Sequence, residues 1–270
     1  MAAPLVIGWL STGRGEGSRG LLRLVQSNIA SGDINASITF VFSNREPGEA
    51  EGSDRFFQDV KGYGIPLVTF SSRRFREQVG NFAAHRLEYD REVMQRLAGY
   101  APELCVLAGY MLIAGSEMCR KYTLVNLHPA LPTGPIGTWQ EVIWKLIETR
   151  SPETGAMIHL ATEDVDRGPV LTYFSLPLTG APFTQGWQEI GGRPVGEIKA
   201  KYGEELPLFK LIRQEEYRRE PLLLVETLKA LATGVIRIRG QRLVDASGKQ
   251  ITGGHCLDRE IEVALQGRSP

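Results

Sequence analysis

The chain has 270 residues, of which 42% are hydrophobic and 23% are charged, as in an ordinary globular protein. Lys and Arg together number 31, and so do Asp and Glu, so no net field is predicted to attract nucleic acid or an anionic membrane. No apolar run reaches the roughly 18 residues of a membrane span, and the N-terminus lacks the basic start of a signal peptide, which predicts a cytoplasmic protein.

Strand and helix signals alternate through the first half of the chain. The apolar run LVIGWL precedes the Gly-rich stretch STGRGEGSRG and a helical pattern, and INASITFVFSN, IPLVTF, PELCVLAGYM and TLVNLHP are further strands. A helix is predicted from Asp54 to Tyr63, a helix or helix pair in SSRRFREQVGNFAAHRLEYDREVMQRLAGY, and a short helix in SEMCRKY. This rhythm predicts an α/β fold with a doubly wound, mainly parallel sheet and helices on both faces.

The second half predicts a helix at TWQEVIWKLIETR and then two strands joined by the acidic turn ATEDVDRGP. The segment 179–205 is rich in Gly and Pro and has no clear period, so it is either an ordered excursion or a mobile flap. A helix from about Leu206 to Thr233, interrupted near Pro221, precedes a hairpin that is expected to turn at SGK. We therefore expect one domain over 1–270, with an insertion at 179–205 and a C-terminal helix plus hairpin at 206–252.

The stretch VNLHPALPTG places two polar side chains at the end of a predicted strand. Asn126 and His128 face the same side of an extended segment, and Pro129 prevents its continuation as a central strand. Open α/β sheets bind ligands at the carboxyl ends of their strands. The amide is suited to polarising a carbonyl group, and a carboxylate in the acidic turn is suited to orienting the imidazole.

The Gly-rich loop GRGEGSRG lies between a strand and a helix. Its free backbone N–H groups and the helix N-terminus suit a phosphate, and Arg14 and Arg19 favour an anion. The loop lacks the GK[ST] of a Walker sequence and departs from GxGxxG, so a dinucleotide is poorly supported. The three cysteines, Cys105, Cys119 and Cys256, have no CxxC or metal-ligand spacing, which predicts reduced thiols and no metal site.

Several motifs, in the order in which they follow one another, give the chain a resemblance to the 10-formyltetrahydrofolate-dependent formyltransferases, in particular the glycinamide ribonucleotide formyltransferases. They run along almost the whole chain: GEGS, VFSN, YDRE, YAPELCVLAGYM, NLHP, DVDRGPV, RQEEYRREP and GQRL. AGYM, NxHP and the DxxRGPV-type turn are specific in combination, although none is specific alone. The resemblance implies an enzyme of purine biosynthesis and one-carbon metabolism, with 10-formyltetrahydrofolate as cosubstrate and no metal.

The resemblance also implies a role for each matched residue. Asn126, His128 and Asp166 would be catalytic: Asn126 and a protonated His128 stabilise the formyl oxygen, and Asp166 keeps His128 charged and helps to move protons. The residues implied in substrate binding are Gly17, Ser18 and Arg19 at the phosphate, and Glu216 at the amine-bearing end. Those implied in folate binding are Arg86, Met111, Leu112, Ile113, Asp164 and Val165, together with the main chain of Asp166.

The sequence departs from the family pattern around these residues. Leu112 replaces an arginine of the usual GFMRI, Arg19 replaces an asparagine, HPALP is shorter than HPSLLP, and 179–205 is an insertion. These departures favour retained formyl chemistry and leave the acceptor open. Besides glycinamide ribonucleotide, an amino-sugar nucleotide or water is an alternative acceptor, the last giving a formyltetrahydrofolate hydrolase.

The hydrolase alternative is disfavoured, because such enzymes usually carry an N-terminal regulatory domain and this chain starts at its first strand. An alternative of another class is a non-catalytic folate or nucleotide binding protein on the same scaffold. The expected partners are a phosphorylated amine and a folate, with no nucleic acid and no membrane, and a homodimer is left open.

Overall fold

The structure is a computed structural model that describes residues 3–267, and it divides into two compact units. The first contains the described part of Met1–Asn126 with His159–Pro169 and Leu228–Lys249. The second contains Leu127–Ile158, Val170–Thr227 and the described part of Gln250–Pro270. Each unit is therefore assembled from segments that are distant in sequence.

The first unit is built on parallel strands that alternate with helices. Its elements are β1 (Leu5–Ser11), α1 (Glu16–Ala30), β2 (Ala36–Ser43), α2 (Glu51–Gly62), β3 (Leu67–Thr69), α3 (Ser72–Val79), α4 (Arg86–Arg96), β4 (Leu104–Leu107), α5 (Ser116–Lys121) and the start of β5 (Leu124–His128). The strand order is β5-β4-β1-β2-β3, and every registered pair is parallel. The chain thus extends the sheet in one direction from β1 to β3 and in the other from β4 to β5. The loops after β1 and β4 border this switch point, which is where such sheets bind ligands.

Aromatic side chains dominate the core of the first unit. Tyr89 of α4 is fully buried, stacks on Phe70 at 4.9 Å between ring centroids, and packs edge-on against Phe75 of α3 at 5.3 Å. Phe40 and Phe42 of β2 lie in the same cluster. Burial of several large rings in one cluster stabilises the packing of α3 and α4 in this unit.

The second unit contains the remaining elements. They are α6 (Trp139–Thr149), most of β6 (Glu153–Leu160), β7 (Val170–Pro177), α7 (Phe183–Ile190), α8 (Val195–Tyr202), a 3-10 turn (Gly203–Glu205), most of α9 (Pro207–Ala232), β10 (His255–Cys256) and α10 (Asp258–Gln266). Thr138 and Glu141 form a reciprocal capping box at the start of α6. The rings of Trp144 and Phe209 pack 5.0 Å apart, so α6 and α9 share a core.

The predicted fold class is confirmed, with a mostly parallel sheet, alternating helices and a C-terminal antiparallel hairpin of β8 (Ile236–Arg239) and β9 (Arg242–Asp245). The hairpin reverses at Gly240–Gln241 and not at SGK as predicted, because SGK is held in a separate turn by the Asp245 carboxylate. The segment 179–205 forms α7, α8 and the 3-10 turn. None of the helices in the described chain is long and apolar enough to span a membrane.

Candidate active site

Three polar side chains from three separate segments meet in the first unit. Asn126 Nδ2 lies 3.3 Å from His159 Nε2 and 3.4 Å from Asp166 Oδ1. His159 Nε2 and Asp166 Oδ1 are 3.5 Å apart. The three line a cavity of about 110 Å³ whose other walls include Tyr110 and Leu112. Asn126 and Asp166, which were both predicted to be catalytic, therefore lie side by side, and the predicted contact of Asp166 with His128 stays a prediction.

The hydrogen bonds of His159 define its chemistry. Its Nδ1 lies 2.9 Å from the carbonyl oxygen of Leu160, and because a carbonyl only accepts, Nδ1 carries the proton. In the neutral ring Nε2 is then an acceptor for the Asn126 amide. The two amide hydrogens of Asn126 are thus directed at His159 and Asp166 through long bonds, which a ligand oxygen can replace.

His159 was not identified from the sequence. It lies in β6, in the predicted strand TGAMIHL, and is almost fully buried. The available signal was a single imidazole in an apolar strand just before the acidic turn. This signal is weak, because a lone buried histidine is more often a packing residue than a functional one.

His128 ends β5 and is also buried, with 3% of its surface exposed. It belongs to the second unit, where its Nε2 lies 3.0 Å from the carbonyl oxygen of Pro135. Nε2–H must donate in this bond, so the loop after the strand fixes the orientation of the ring. The catalytic role of His128 stays a prediction.

The acidic turn holds Asp166 in an uncommon backbone conformation. Asp166 has φ 55°, in the left-handed region that Asp and Asn tolerate better than most residues. Two residues later, a β-carbon on Gly168 would collide with the carbonyl oxygen of Leu160. Leu160 and Pro169 are hydrogen-bonded through their backbones at 2.9 Å, so the turn closes tightly over the end of β6.

We expect Gly168→Ala to displace this turn. The added methyl group has no space beside the Leu160 carbonyl, and overpacking of this kind costs about 1–3 kcal/mol. Chemical denaturation should show that loss in the free energy of unfolding, and hydrogen exchange should become faster in a peptide covering 161–169. Gly62→Ala, at a helical position with open space around it, is the matched control and should not be destabilised. An unchanged exchange rate at 161–169 would show that the turn does not depend on the close approach.

The three residues predicted to bind phosphate form the first turn of α1, which starts at Glu16 after the N-cap Gly15. The backbone N–H groups of such a turn have no helical partner and suit an anion. The side chain of Arg19 points to other partners: its Nε and Nη2 donate to Asp59 at 2.8 and 3.2 Å. This bond from Arg19 lowers the pKa of Asp59. The backbone N–H groups of Gly17 and Ser18 are therefore suited to the predicted role. The Arg19 side chain is held by Asp59, and its backbone N–H donates to the carbonyl oxygen of Gly15 at 3.4 Å.

The residues predicted to line the folate cleft have different environments. Met111 is 71% exposed and Ile113 is 63% exposed. Exposed apolar side chains of this kind are suited to contact with a ligand. Leu112 and Val165 line the cavity beside Asp166, and Leu112 also packs on the aromatic core. The carbonyl oxygen of Asp164 accepts from the Thr162 hydroxyl at 3.1 Å and from Arg167 N at 3.2 Å.

Arg86, which the resemblance places near the folate tail, is held by a buried carboxylate. Its Nη2 lies 2.9 Å from Oδ1 of Asp90, whose side chain is fully buried, and its guanidinium lies over the rings of Phe82 and Tyr89. Burial raises the pKa of Asp90 in spite of Arg86, while Asp90 also accepts from Gly115 N at 2.7 Å. Arg86 does not line the cavity of Asn126 and Asp166. Its contacts support a structural role in tying α4 to the segment before α5.

Glu216 lies on α9 in the second unit and is fully buried. Thr154 donates a hydrogen bond of 2.6 Å to its Oε1, whereas Oε2 has no hydrogen-bond partner among the described residues. Burial raises the pKa of Glu216 to about 8, against the opposing effect of the Thr154 bond. Glu216 is therefore mainly neutral at pH 7, and its carboxyl group is a hydrogen-bond donor.

We expect Glu216 to make the protein less stable as pH rises. Its folded pKa of about 8 lies above the ordinary 4.5, so the stabilisation is fully present below pH 4.5 and is lost as pH rises through 8. Within this window the slope approaches about 1.4 kcal/mol per pH unit. Glu216→Gln does not titrate, so the unfolding free energy of the wild type relative to this variant should fall between pH 5 and 8. The exposed Glu189→Gln is the matched control, and parallel pH profiles for wild type and Glu216→Gln would contradict the expectation.

A larger cavity of about 920 Å³ lies in the second unit. Its walls come from the loop after His128, from α6 and from the start of β6, including Thr154. Several of its polar side chains are bonded within the unit: Glu141 caps α6, Lys145 pairs with Glu148, Thr149 bonds to a backbone carbonyl, and Thr154 donates to Glu216. Size alone therefore does not make it the reaction site, and the smaller cavity holds the convergent amide, imidazole and carboxylate.

Residues 15–180 match the formyl transferase family, and the chain belongs to this family. Among curated relatives, the phosphoribosylglycinamide formyltransferase of Escherichia coli is 30% identical over 173 residues, which are 63% of this chain and 71% of that protein. The enzyme of the same name from Schizosaccharomyces pombe is 26% identical over 196 residues, which are 70% and 89% of the two chains.

The solved structures show the same fold. Phosphoribosylglycinamide formyltransferase from Coxiella burnetii superposes with a TM-score of 0.67 at 21% identity, covering 94% of this chain and 99% of that one. A formyltetrahydrofolate deformylase from Burkholderia mallei superposes with a TM-score of 0.59 at 19% identity, covering 90% and 70%. At these identities the superpositions establish the fold and do not distinguish the two activities.

Proposed function

We propose that the protein transfers a formyl group from 10-formyltetrahydrofolate to the amine of a phosphorylated substrate, and that this substrate is glycinamide ribonucleotide. The observation that carries the proposal is the cluster of Asn126, His159 and Asp166 beside the switch point of the parallel sheet. Relatives named phosphoribosylglycinamide formyltransferase support the choice of acceptor.

The reaction makes one C–N bond and breaks another. The amine nitrogen attacks the formyl carbon, negative charge grows on the formyl oxygen, and the bond between that carbon and the folate nitrogen breaks. The amide of Asn126 exchanges a long bond to His159 or Asp166 for a bond to the charged oxygen. His128 is a second donor through Nδ1–H when its ring is protonated, because its Nε2–H is used by the Pro135 carbonyl. Asp166 accepts the proton released by the amine and returns it, directly or through water, to the folate nitrogen.

His159 serves this mechanism as a positioning residue. Its Nδ1–H is committed to the Leu160 carbonyl, so its Nε2 faces Asn126 and Asp166 in a fixed orientation. A buried imidazole in this place keeps the amide and the carboxylate apart from bulk water. It also supplies an acceptor for the amide hydrogen until the formyl oxygen arrives.

Both substrates are bound largely through backbone and apolar groups. The substrate phosphate binds the backbone N–H groups of Gly17 and Ser18 in the first turn of α1, since that of Arg19 donates to the carbonyl oxygen of Gly15 at 3.4 Å. The folate ring lies against Met111, Leu112 and Ile113, and the main chain of Asp164, Val165 and Asp166 forms hydrogen bonds with the pterin. Leu112 cannot pair with the folate glutamate, so the tail contributes little binding energy on this side.

The test is a transfer assay with three acceptors. Purified protein is mixed with 10-formyltetrahydrofolate and glycinamide ribonucleotide, with an amino-sugar nucleotide, or with buffer alone, and released tetrahydrofolate is followed by absorbance. Turnover that requires glycinamide ribonucleotide supports the proposal. Equal turnover in buffer alone would identify a hydrolase, and tight folate binding by calorimetry without turnover would identify a binding protein.

A further inference from the structure

Two loops that border the switch point are hydrogen-bonded to each other through Thr12. Thr12 follows β1, and its backbone N–H donates to the carbonyl oxygen of Gly109 at 3.0 Å. In return, the backbone N–H of Met111 donates to the Thr12 hydroxyl oxygen at 3.0 Å. The loop that leads into α1 and the segment that contains Met111 are therefore fastened by one residue.

The hydroxyl of Thr12 has a second partner that fixes its orientation. It donates to Oδ1 of Asn44 at 2.7 Å, and Nδ2 of Asn44 donates to the Ser72 hydroxyl at 2.9 Å. All three side chains are buried, so none of these bonds competes with bulk water. Because the hydroxyl has a single hydrogen and it is used by Asn44, its free lone pairs face Met111 N.

The first turn of α1 also lies close to the segment 109–111. Gly109 has φ 69°, and a β-carbon there would collide with the hydroxyl oxygen of Ser18. The backbone carbonyl of Thr12 also accepts from the Ser53 hydroxyl at 3.0 Å, which anchors the loop to α2. The start of α1 is thus close to Gly109, and the loop before α1 is linked to 109–111 through the two hydrogen bonds of Thr12.

We propose that Thr12 is a positioning residue that couples the two binding sites, so that an anion at the first turn of α1 increases the affinity of the Met111–Ile113 segment for the folate. The inference rests on the proposed function, because that function assigns the anion to α1 and the folate to 111–113. Thr12 touches neither ligand: it sets the position of Met111 relative to Ser18. Coupling between binding sites is reciprocal, so bound folate increases the affinity for the anion by the same factor.

The test measures this factor by calorimetry. The dissociation constant of tetrahydrofolate is determined with and without saturating glycinamide ribonucleotide, and again with inorganic phosphate in its place. We expect at least about a fivefold increase in affinity for the wild type, which is the lower end of common coupling factors. Thr12→Val keeps the shape but removes the hydroxyl, and its coupling factor should fall close to one. Thr12→Ser should restore the coupling.

Thr39→Val is the matched control. Thr39 is on β2, and its hydroxyl donates to the carbonyl oxygen of Ile7. The same loss of a hydroxyl there should leave the coupling factor unchanged. A hydrogen-exchange measurement on the wild type tests the inference even if Thr12→Val does not fold. Glycinamide ribonucleotide alone should slow hydrogen exchange in a peptide covering 108–113.

The possible results separate this inference from the proposed function. If the wild type transfers formyl groups but shows no coupling and no change of exchange at 108–113, the inference is overturned and the function stands. Equal coupling in wild type and Thr12→Val would overturn it as well. If the wild type binds no tetrahydrofolate and shows no turnover, the proposed function fails and the inference falls with it.

Discussion

Asp166→Asn should lower the rate of formyl transfer by at least about a hundredfold, the scale expected for the loss of an acid–base partner. The variant removes the charge and the proton acceptor but keeps the shape of the side chain. Asn tolerates the left-handed backbone of this position, so the turn should keep its conformation. Its amide oxygen can still accept from Asn126, which in the wild type lies 3.4 Å from the carboxylate. The measurement is kcat in the transfer assay, with the dissociation constant of tetrahydrofolate measured in parallel.

Glu163→Gln is the matched control for this prediction. It makes the same change from acid to amide in the same turn, at an exposed side chain that pairs with the exposed Arg120. Exposed pairs contribute little, so both kcat and folate affinity should stay close to the wild type. Near-normal turnover of Asp166→Asn would remove Asp166 from the mechanism. A large loss of folate affinity with normal kcat would make the acidic turn a binding loop.

Asn126→Leu should lower kcat by about a hundredfold to a thousandfold, the usual cost of one oxyanion donor. Leucine has the same branching pattern as asparagine, although it is bulkier, and both amide hydrogens are lost. Folate affinity should change less than kcat, because the formyl oxygen carries its full charge only in the transition state.

A double-mutant cycle gives this second prediction a sharper test. Asn126 and Asp166 are in contact, and we propose that they act on the same reacting group. Their effects should therefore be far from additive, and the double variant should be little slower than the slower single variant. Fully additive losses would show that the two side chains act in separate steps, and the cluster would not be one catalytic unit.

Much of the candidate site can be predicted from local sequence patterns. Pro129 after an alternating strand predicts that Asn126 and His128 lie at a strand end, and the structure ends β5 at His128. The alternation of strands and helices predicts the parallel sheet, whose switch point brings together the loops after β1 and β4. The choice of Asp166 among the acidic residues of its turn came from the family resemblance. The residue pattern alone predicts only that a carboxylate lies there.

Other features depended on contacts between distant segments. Arg19 looked like an anion ligand beside a Gly-rich loop, yet Asp59 on another helix holds its guanidinium. Arg86 is paired with the buried Asp90, and His159 reaches Asn126 across 33 positions of sequence. A charged side chain gives the same local signal whether its partner is a ligand or a neighbouring carboxylate.

The sequence by itself determined the class of fold, the strand end that carries Asn126 and His128, and the helix N-terminus suited to a phosphate. Backbone preferences and side-chain periodicity act over a few residues, and so they can be recognised without a structure. Only the tertiary structure decided which side chains are left for a ligand, because buried charges and amides must find partners and those partners come from any part of the chain. In the tertiary structure Arg19 pairs with Asp59 and Arg86 with Asp90, His159 lies beside Asn126 and Asp166, and Thr12 links the loop before α1 to Met111.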